Sequence, residues 1–400
     1  MDLVLNAEDL AFQDQVRNFL TTKLPQEIKD RVRVAPSYVP KEHTRHWQQL
    51  LYEQGWGAPN WPVKYGGTGW TAIQKYIYDS EYQAASCPRQ SPFGIGMVGP
   101  VICAFGTDEQ KKQHLNPIIR GEKFWCQGYS EPGSGSDLAS LSTRAVRDGD
   151  EYVINGHKIW TSHAHHADFM FCLTRTEPDC KPQEGISFIL IDMTAPGIAV
   201  KPIISIDGHH YLNEVFFDDV RVPITNRIGE ENKGWTYAKF LLGHERTGIA
   251  GVGKSKRKVE RLKAVAALEP TSDGESMLDD PNFTARIGQA EVSLQALEFT
   301  QMRILAQEKA GQPPGPEAST LKIGGTQVEQ TLNELMIEVI GNYAAPFPTD
   351  AQDIKRNEPS IGPEHGVGLM QEHLLRRAAT IYGGSNEIQR NIIAKAVLEM

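Results

Sequence analysis

The chain has 400 residues, 40% of them apolar, and a formal net charge of −9. This length and apolar content support a large core in one to three domains, and the acidic balance argues against nucleic acid or an anionic membrane as the main partner. The five cysteines are odd in number, scattered and without a CxxC pair, and no HExxH occurs, so neither a metal site nor a disulfide framework is expected. Met1-Asp2-Leu3-Val4 lacks a basic leader and no apolar run is long enough to span a bilayer, which points to a reducing cytoplasm.

In chain order, the first quarter reads as helices. Leu10, Val16, Phe19 and Leu20 share one face, and Trp47, Leu50 and Leu51 restart the pattern. Ile73 to Ala85 and Phe93 to Phe105 read as two more helices, and Thr107 caps a short one ending near Gly121. From Phe124 the period becomes two, with strands expected at Ser142–Arg147, Tyr152–Ile154, Lys158–Thr161, Phe169–Thr174, Ile186–Asp192, Ile198–Ile203 and Glu214–Val220. Asn155-Gly156 reads as a hairpin turn between two of them. Helices return at Tyr237–Leu262, Phe283–Ala310, Leu321–Ile340, Gln371–Ala378 and from Asn386, with a Pro- and Asp-rich surface excursion over Tyr343–Val367. The order is α+β: an N-terminal helical domain (1–123), a middle antiparallel β-barrel or sandwich (124–234) and a C-terminal helix bundle (235–400).

The stretch from Gln127 through Tyr129, Ser130, Glu131, Pro132, Gly133, Ser134, Gly135 and Ser136 to Asp137 alternates glycine with hydroxyls and acids. Such a turn can present amide N–H groups to an anion, with Ser130 and Ser136 as hydroxyl donors. No helical period follows, so a helix-entry dinucleotide loop is a poor reading. An ordinary Gly/Ser turn reads these residues about as well. Downstream, Asn155-Gly156-His157-Lys158-Ile159-Trp160-Thr161-Ser162 follows at a fixed distance.

Together these two segments resemble the acyl-CoA dehydrogenase family, with its Ser/Thr-Glu-Pro-Gly-x-Gly-Ser-Asp loop and Asn-Gly-x-Lys-x-Trp-x-Ser/Thr strand. The order helices, sheet, bundle matches that family from end to end. The resemblance implies FAD held by Gln127, Tyr129, Ser130, Gly135 and Ser136, with Trp160 and Ser162 flanking the isoalloxazine ring. It also implies a second signature at Thr380-Ile381-Tyr382-Gly383-Gly384-Ser385-Asn386-Glu387, where Ser385 and Glu387 join the cofactor contacts. Ser385 and Asn386 are also good cap types for a plain helix.

Many family members place a catalytic glutamate directly after the tyrosine of this signature; here the position is Gly383. The branch typified by isovaleryl- and long-chain acyl-CoA dehydrogenases keeps its base on an earlier helix, before an arginine. The corresponding residues here are Glu245 and Arg246 in Leu242-Gly243-His244-Glu245-Arg246-Thr247. By itself a Glu-Arg pair on a helix is an ordinary solvated pair. The Arg-x-x-Phe-Gly segment of many members is not evident between Lys254 and Phe283, and Gln-x-x-Gly-Gly is represented by Glu338-Val339-Ile340-Gly341-Asn342. With Trp125-Cys126-Gln127-Gly128-Tyr129 and Ala238–Gly243, these departures resemble the large-subunit type of pimeloyl-CoA dehydrogenase.

The implied activity is dehydrogenation of an acyl-CoA, such as a dicarboxylyl-CoA or a bulky steroid side-chain thioester, to the trans-2-enoyl-CoA. Electrons would pass to an electron-transferring flavoprotein. The expected assembly is a homodimer or homotetramer, or an α2β2 heterotetramer with a homologous subunit. The alternatives are a non-catalytic or half-site subunit and an acyl-CoA oxidase. His163, His165, His166 and the pair His209-His210 read as surface or loop histidines. The run Lys254, Lys256, Arg257, Lys258, Arg261 and Lys263 reads as a solvated helix face, with CoA phosphates as the functional alternative.

Overall fold

The computed structural model describes residues 5–35, 37–309, 315–316, 318–347 and 357–400, without the side chains of 243–249, 305 and 307–309. The N-terminal part comprises α1 (Ala7–Lys23), α2 (Gln26–Val34), α3 (Lys41–Glu53), α4 (Ala72–Ala84), α5 (Gly99–Phe105) and α6 (Asp108–Ile119). Asn6 caps α1, and capping boxes Thr71/Gln74 and Thr107/Gln110 start α4 and α6. Its core gathers Phe12, Val16, Phe19, Leu20, Trp47 and Leu51, with the Trp47 indole donating to the Tyr82 hydroxyl at 2.7 Å. Two expectations need correction. Leu10 is exposed on α1, where Phe12 takes the buried position. The helix expected over 93–105 is a π-helical turn, Pro92–Val98, running into α5.

The middle part is one curled seven-stranded sheet: β1 (Trp125–Gly128), β2 (Arg144–Asp148), β3 (Glu151–Lys158), β4 (Phe169–Arg175), β5 (Ile186–Asp192), β6 (Ile198–Ile204) and β7 (His210–Pro223). Pairing is antiparallel except at β4, which β1 joins in parallel along Phe169–Cys172 and β2 meets at Arg175. The hairpin expected at Asn155-Gly156 is absent. β3 continues through these residues, with a register shift against β7 between Ile154 and Gly156, and the chain reverses earlier, around Gly149. Their chemistry is spent across the sheet. The Asn155 amide donates to Asp219 at 2.9 Å and accepts the Asp219 backbone N–H at 2.9 Å. A Cβ at Gly156 would come within 2.7 Å of the Thr143 backbone, so the glycine serves close strand approach.

The C-terminal part holds α7 (Gly234–Ile249), α8 (Val252–Ala266), α9 (Pro281–Lys309), α10 (Ala318–Ile340), α11 (Leu369–Arg376) and α12 (Asn386–Ala396). The single helix expected over 237–262 is broken at Gly251, which is left-handed at φ +60°. The junction is tight: a Cβ on Gly325 of α10 would sit 2.5 Å from the Ala250 carbonyl oxygen. α10 is the bundle's axis, touching α7, α8, α9, α11 and α12. Much of the loop expected between α9 and α10, and residues 348–356 of the expected surface excursion, lie outside the described residues. The three parts meet where the β6–β7 turn enters between the helical units. There His209 stacks on Tyr38 at 3.8 Å, and Gly208 lies against Phe347. No helix among the described residues is long and apolar enough to cross a membrane.

Candidate functional site

The Gly/Ser loop leaves the end of β1 and is closed on itself by reciprocal backbone hydrogen bonds between Glu131 and Ser134, at 3.0 and 2.9 Å. The Glu131 side chain points inward. It accepts from Ser142 N (2.7 Å), Ser142 Oγ (2.8 Å), Thr143 N (2.9 Å) and Lys158 Nζ (2.8 Å). Burial would raise the Glu131 carboxyl, but Lys158 and these donors overcome it and hold it down to about 2. Lys158 also donates to the Tyr129 carbonyl at 3.1 Å, and Ile159 N donates to Ser130 O at 2.9 Å. The loop is thereby fastened to the β3 exit. Gly135 and Ser136 face outward, with open space where a Cβ on Gly133 or Gly135 would stand. Gln127 is half-buried on β1, and the Tyr129 ring packs edge-on to Phe171 and Phe188.

Just beyond β3, Trp160 adopts φ +59° and leaves 57% of its surface exposed. A left-handed tryptophan costs of order 1–2 kcal/mol, and such strain gathers at functional positions. Ser162 is half-buried; burial raises the Tyr211 phenol, with Tyr382 and Ser162 near enough to act on it, and burial likewise raises Tyr382, with Arg376 acting against it. The fold therefore brings Ser162 near the Tyr382-Gly383-Gly384 loop; residues 159–161, expected to continue a strand, lie beyond the end of β3. Gly383 and Gly384 are both left-handed, at φ +65° and +79°. Ser385 caps α12, accepting from Ile388 N at 3.3 Å, and Glu387 is exposed in its first turn. His163 and Tyr382 are both exposed, and burial by the surrounding protein pushes the His163 imidazole down and the Tyr382 phenol up.

Glu245 and Arg246 lie on the last turns of α7, and their side chains are outside the described residues.

Behind Tyr382 stands a half-buried charge network invisible in the sequence. Arg376 Nε meets Glu372 at 2.7 Å and Glu329 at 3.0 Å, and its Nη2 donates to Ser37 Oγ at 2.7 Å. Lys254 pairs with Glu329, and Lys258 donates to Asn333 at 2.8 Å. Burial would raise the Glu329 carboxyl, but Lys254, Arg376 and Lys258 hold it down to about 2. The basic run of α8 is therefore not one solvated face. Lys254 and Lys258 turn inward, Arg257 and Arg261 donate to the carbonyls of Gln83 and His365, and Lys256 and Lys263 pair with Glu298 and Glu291.

The histidines are likewise more than loose surface residues. His165 stacks on His210 at 4.0 Å, both rings engage Asn213 Oδ1, and His163 lies 5.6 Å from Tyr211. Burial and neighbouring imidazoles push His163 and His165 down to about 4. No metal-binding group of three or more His, Cys, Asp or Glu occurs among the described residues.

This architecture, a helical unit, a curled sheet carrying an open tryptophan beside a glycine cradle, and a helix bundle closing the cleft, is that of a flavoprotein oxidoreductase. The chain belongs to the acyl-CoA dehydrogenase family: models of its N-terminal, middle and C-terminal domains match residues 6–122, 126–220 and 232–398. It is 35% identical over 391 residues to the acyl-CoA dehydrogenase IpdE1 of Mycobacterium tuberculosis, covering 97% of this chain and 96% of that one. Among solved structures, a chain titled "Tcur3481-Tcur3483 steroid ACAD" superposes with a TM-score of 0.85 at 30% identity, over 100% of this chain and 99% of that one. The ChsE4-ChsE5 complex from Mycobacterium tuberculosis gives 0.83 at 30% identity, over 100% and 99%.

The residues present fit a flavin. An exposed indole offers an aromatic wall, the vacant space over Gly133 and Gly135 admits a close backbone approach, and Ser130 and Ser136 provide hydroxyls.

Proposed function

We propose that the chain is an FAD-dependent acyl-CoA dehydrogenase that converts an acyl-CoA to its trans-2-enoyl-CoA. The observation that supports this reading is the left-handed, exposed Trp160 just beyond β3, beside the glycine loop that Glu131 and Lys158 fasten to the same strand end. FAD, when bound, supplies the hydride acceptor. Trp160 would wall the flavin, and the loop held by Glu131 and Lys158 would offer its backbone N–H and hydroxyl groups to the phosphates.

The chain's own work is proton removal and charge stabilisation. Glu245 takes the α-proton beside the thioester. The Gly383 N–H donates to the thioester carbonyl oxygen as negative charge develops there. Glycine at 383 leaves the cleft without a carboxylate at that position, so the base comes from α7. Arg246 adds positive charge beside Glu245. Reducing equivalents leave for an electron-transferring flavoprotein. The resemblance to a chain titled as a steroid enzyme supports a bulky acyl group as substrate.

The test is direct. Purified protein is yellow with non-covalent FAD, and anaerobic addition of acyl-CoAs from a chain-length and bulk series bleaches the flavin band for at least one member. A protein that cannot be loaded with FAD, alone or with a homologous partner, refutes the reading. A second reading, a half-site subunit of a mixed assembly, is favoured by the paired-subunit titles of both structural relatives. It predicts bleaching only after a partner is added.

A further inference from the structure

The chain leaves β3 after Lys158 but stays tied down as it goes on to His163. Ile159 N donates to Ser130 O at 2.9 Å, Thr161 N to Asn213 O at 2.9 Å and His163 N to Tyr211 O at 2.8 Å. Within this short run Trp160 and His163 are both left-handed, at φ +59° and +58°. Neither residue type holds that conformation unless its surroundings impose it.

One side chain joins these main-chain ties. Asn213, fully buried on β7, donates from Nδ2 to Thr161 O at 2.9 Å and to Tyr211 O at 3.4 Å. Its Oδ1 meets His165 Nδ1 at 3.2 Å and His210 Nε2 at 2.8 Å. Both amide hydrogens and both oxygen lone pairs are thus in use. The two carbonyls require a donor, so the oxygen faces the rings, and each ring nitrogen that meets it carries a proton. The imidazoles therefore hold the amide the right way round, and the amide holds Thr161. Ile159 is fixed through its N–H, and Thr161 through both its N–H and its C=O. Trp160 stands between these two anchors with its indole out in the open.

We propose that Asn213 is a positioning residue that holds Trp160 left-handed and so sets the indole as the flavin wall before the cofactor arrives. This rests on the FAD reading above. The position needs a side chain that both donates and accepts. Aspartate has no N–H for Thr161 O, and leucine, of similar size, has neither group. Without the amide the segment relaxes, and the cost of returning Trp160 to φ +59° falls on FAD binding.

Two measurements test this. In FAD-free wild type, hydrogen exchange shows the amides of Ile159, Thr161 and His163 protected, and Asn213→Ala loses the protection at Thr161. In FAD titrations Asn213→Ala weakens binding by roughly 5- to 30-fold, the strain of one left-handed residue expressed as affinity. In a Trp160→Gly background there is no indole to place and no strain to hold, and the same change alters affinity by less than about twofold. Asn213→Asp keeps the shape and the imidazole contacts but not the donor, and it behaves as Asn213→Ala does; it decides the matter if the alanine variant does not fold. Equal losses of FAD affinity with and without the indole mark a general structural role and overturn the proposal. Free exchange across 159–163 in wild type overturns it as well. A wild type that takes up no FAD refutes the cofactor reading instead, and the exchange result then decides whether the clamp itself stands.

Discussion

Lys158 Nζ lies 2.8 Å from Glu131 Oε1, with both side chains buried, and this pair joins the cradle loop to the end of β3, two residues before Trp160. A buried pair gains little overall, because desolvation offsets the attraction, but removing one partner strands the other charge. Lys158→Met therefore lowers the unfolding free energy by about 3–5 kcal/mol and weakens FAD retention. The double change with Glu131→Gln recovers part of the stability. Denaturant unfolding of the three proteins checks this, and additive losses would contradict it.

The same carboxylate sets an acid dependence. Its pKa falls from 4.5 in the unfolded chain to about 2 in the fold. The unfolded chain therefore binds more protons between those values, and the stability Glu131 contributes is present above pH 4.5 and lost as pH falls toward 2. The denaturation midpoint of wild type drops through this window more steeply than that of Glu131→Gln.

The imidazoles act at higher pH. His163 and His165 titrate near 4 in the fold against 6.5 unfolded, so the unfolded chain again takes up more protons and stability declines as pH falls from 6.5 to 4. Replacing both by Asn flattens that part of the profile and leaves the Glu131 window in place. An unchanged slope between pH 6.5 and 4 would show that these rings do not govern it.

Glu245→Gln preserves shape and hydrogen bonding but not basicity. The variant keeps FAD, and its rate of flavin reduction by a competent acyl-CoA falls by roughly 10²–10⁴-fold or more. Stopped-flow bleaching at close to the wild-type rate would assign the base to another residue.

Trp160 offers a separable test of strain and function. Trp160→Gly and Trp160→Ala both lose the ring wall and hold FAD more weakly. The glycine variant tolerates φ +59° and is more stable than the alanine variant by about 1 kcal/mol. Flavin titration and thermal unfolding read the two effects independently.

The part of this molecule legible in the sequence is the part written locally. β5 matches its expected span, Ile186–Asp192, because a continuous apolar run bounded by Gly185 declares a buried strand. β1 has four residues ending in glycine and carries too little pattern to be seen. Asn155-Gly156 misleads because turn chemistry and cross-strand chemistry use the same residues. The break at Gly251 is set by α10 packing against Ala250, a contact no local window contains. At the site, Trp160 and Gly383 are readable as motifs. The network of Ser37, Lys254, Glu329, Glu372 and Arg376 is not, because its members are scattered over most of the chain and meet only in the folded bundle.

That scattering constrains how the protein can be recombined with its relatives. Ser37 bonds both Arg376 and Glu372, and Tyr38 stacks on His209. The two adjacent residues between α2 and α3 thus serve as a keystone for both other parts. A chimera that imports foreign N-terminal helices withdraws a hydroxyl from a charge set mostly shielded from water, and a flat ring from the β6–β7 turn. Productive crossovers must move positions 37 and 38 together with 209, 372 and 376, as one heritable unit rather than as domains.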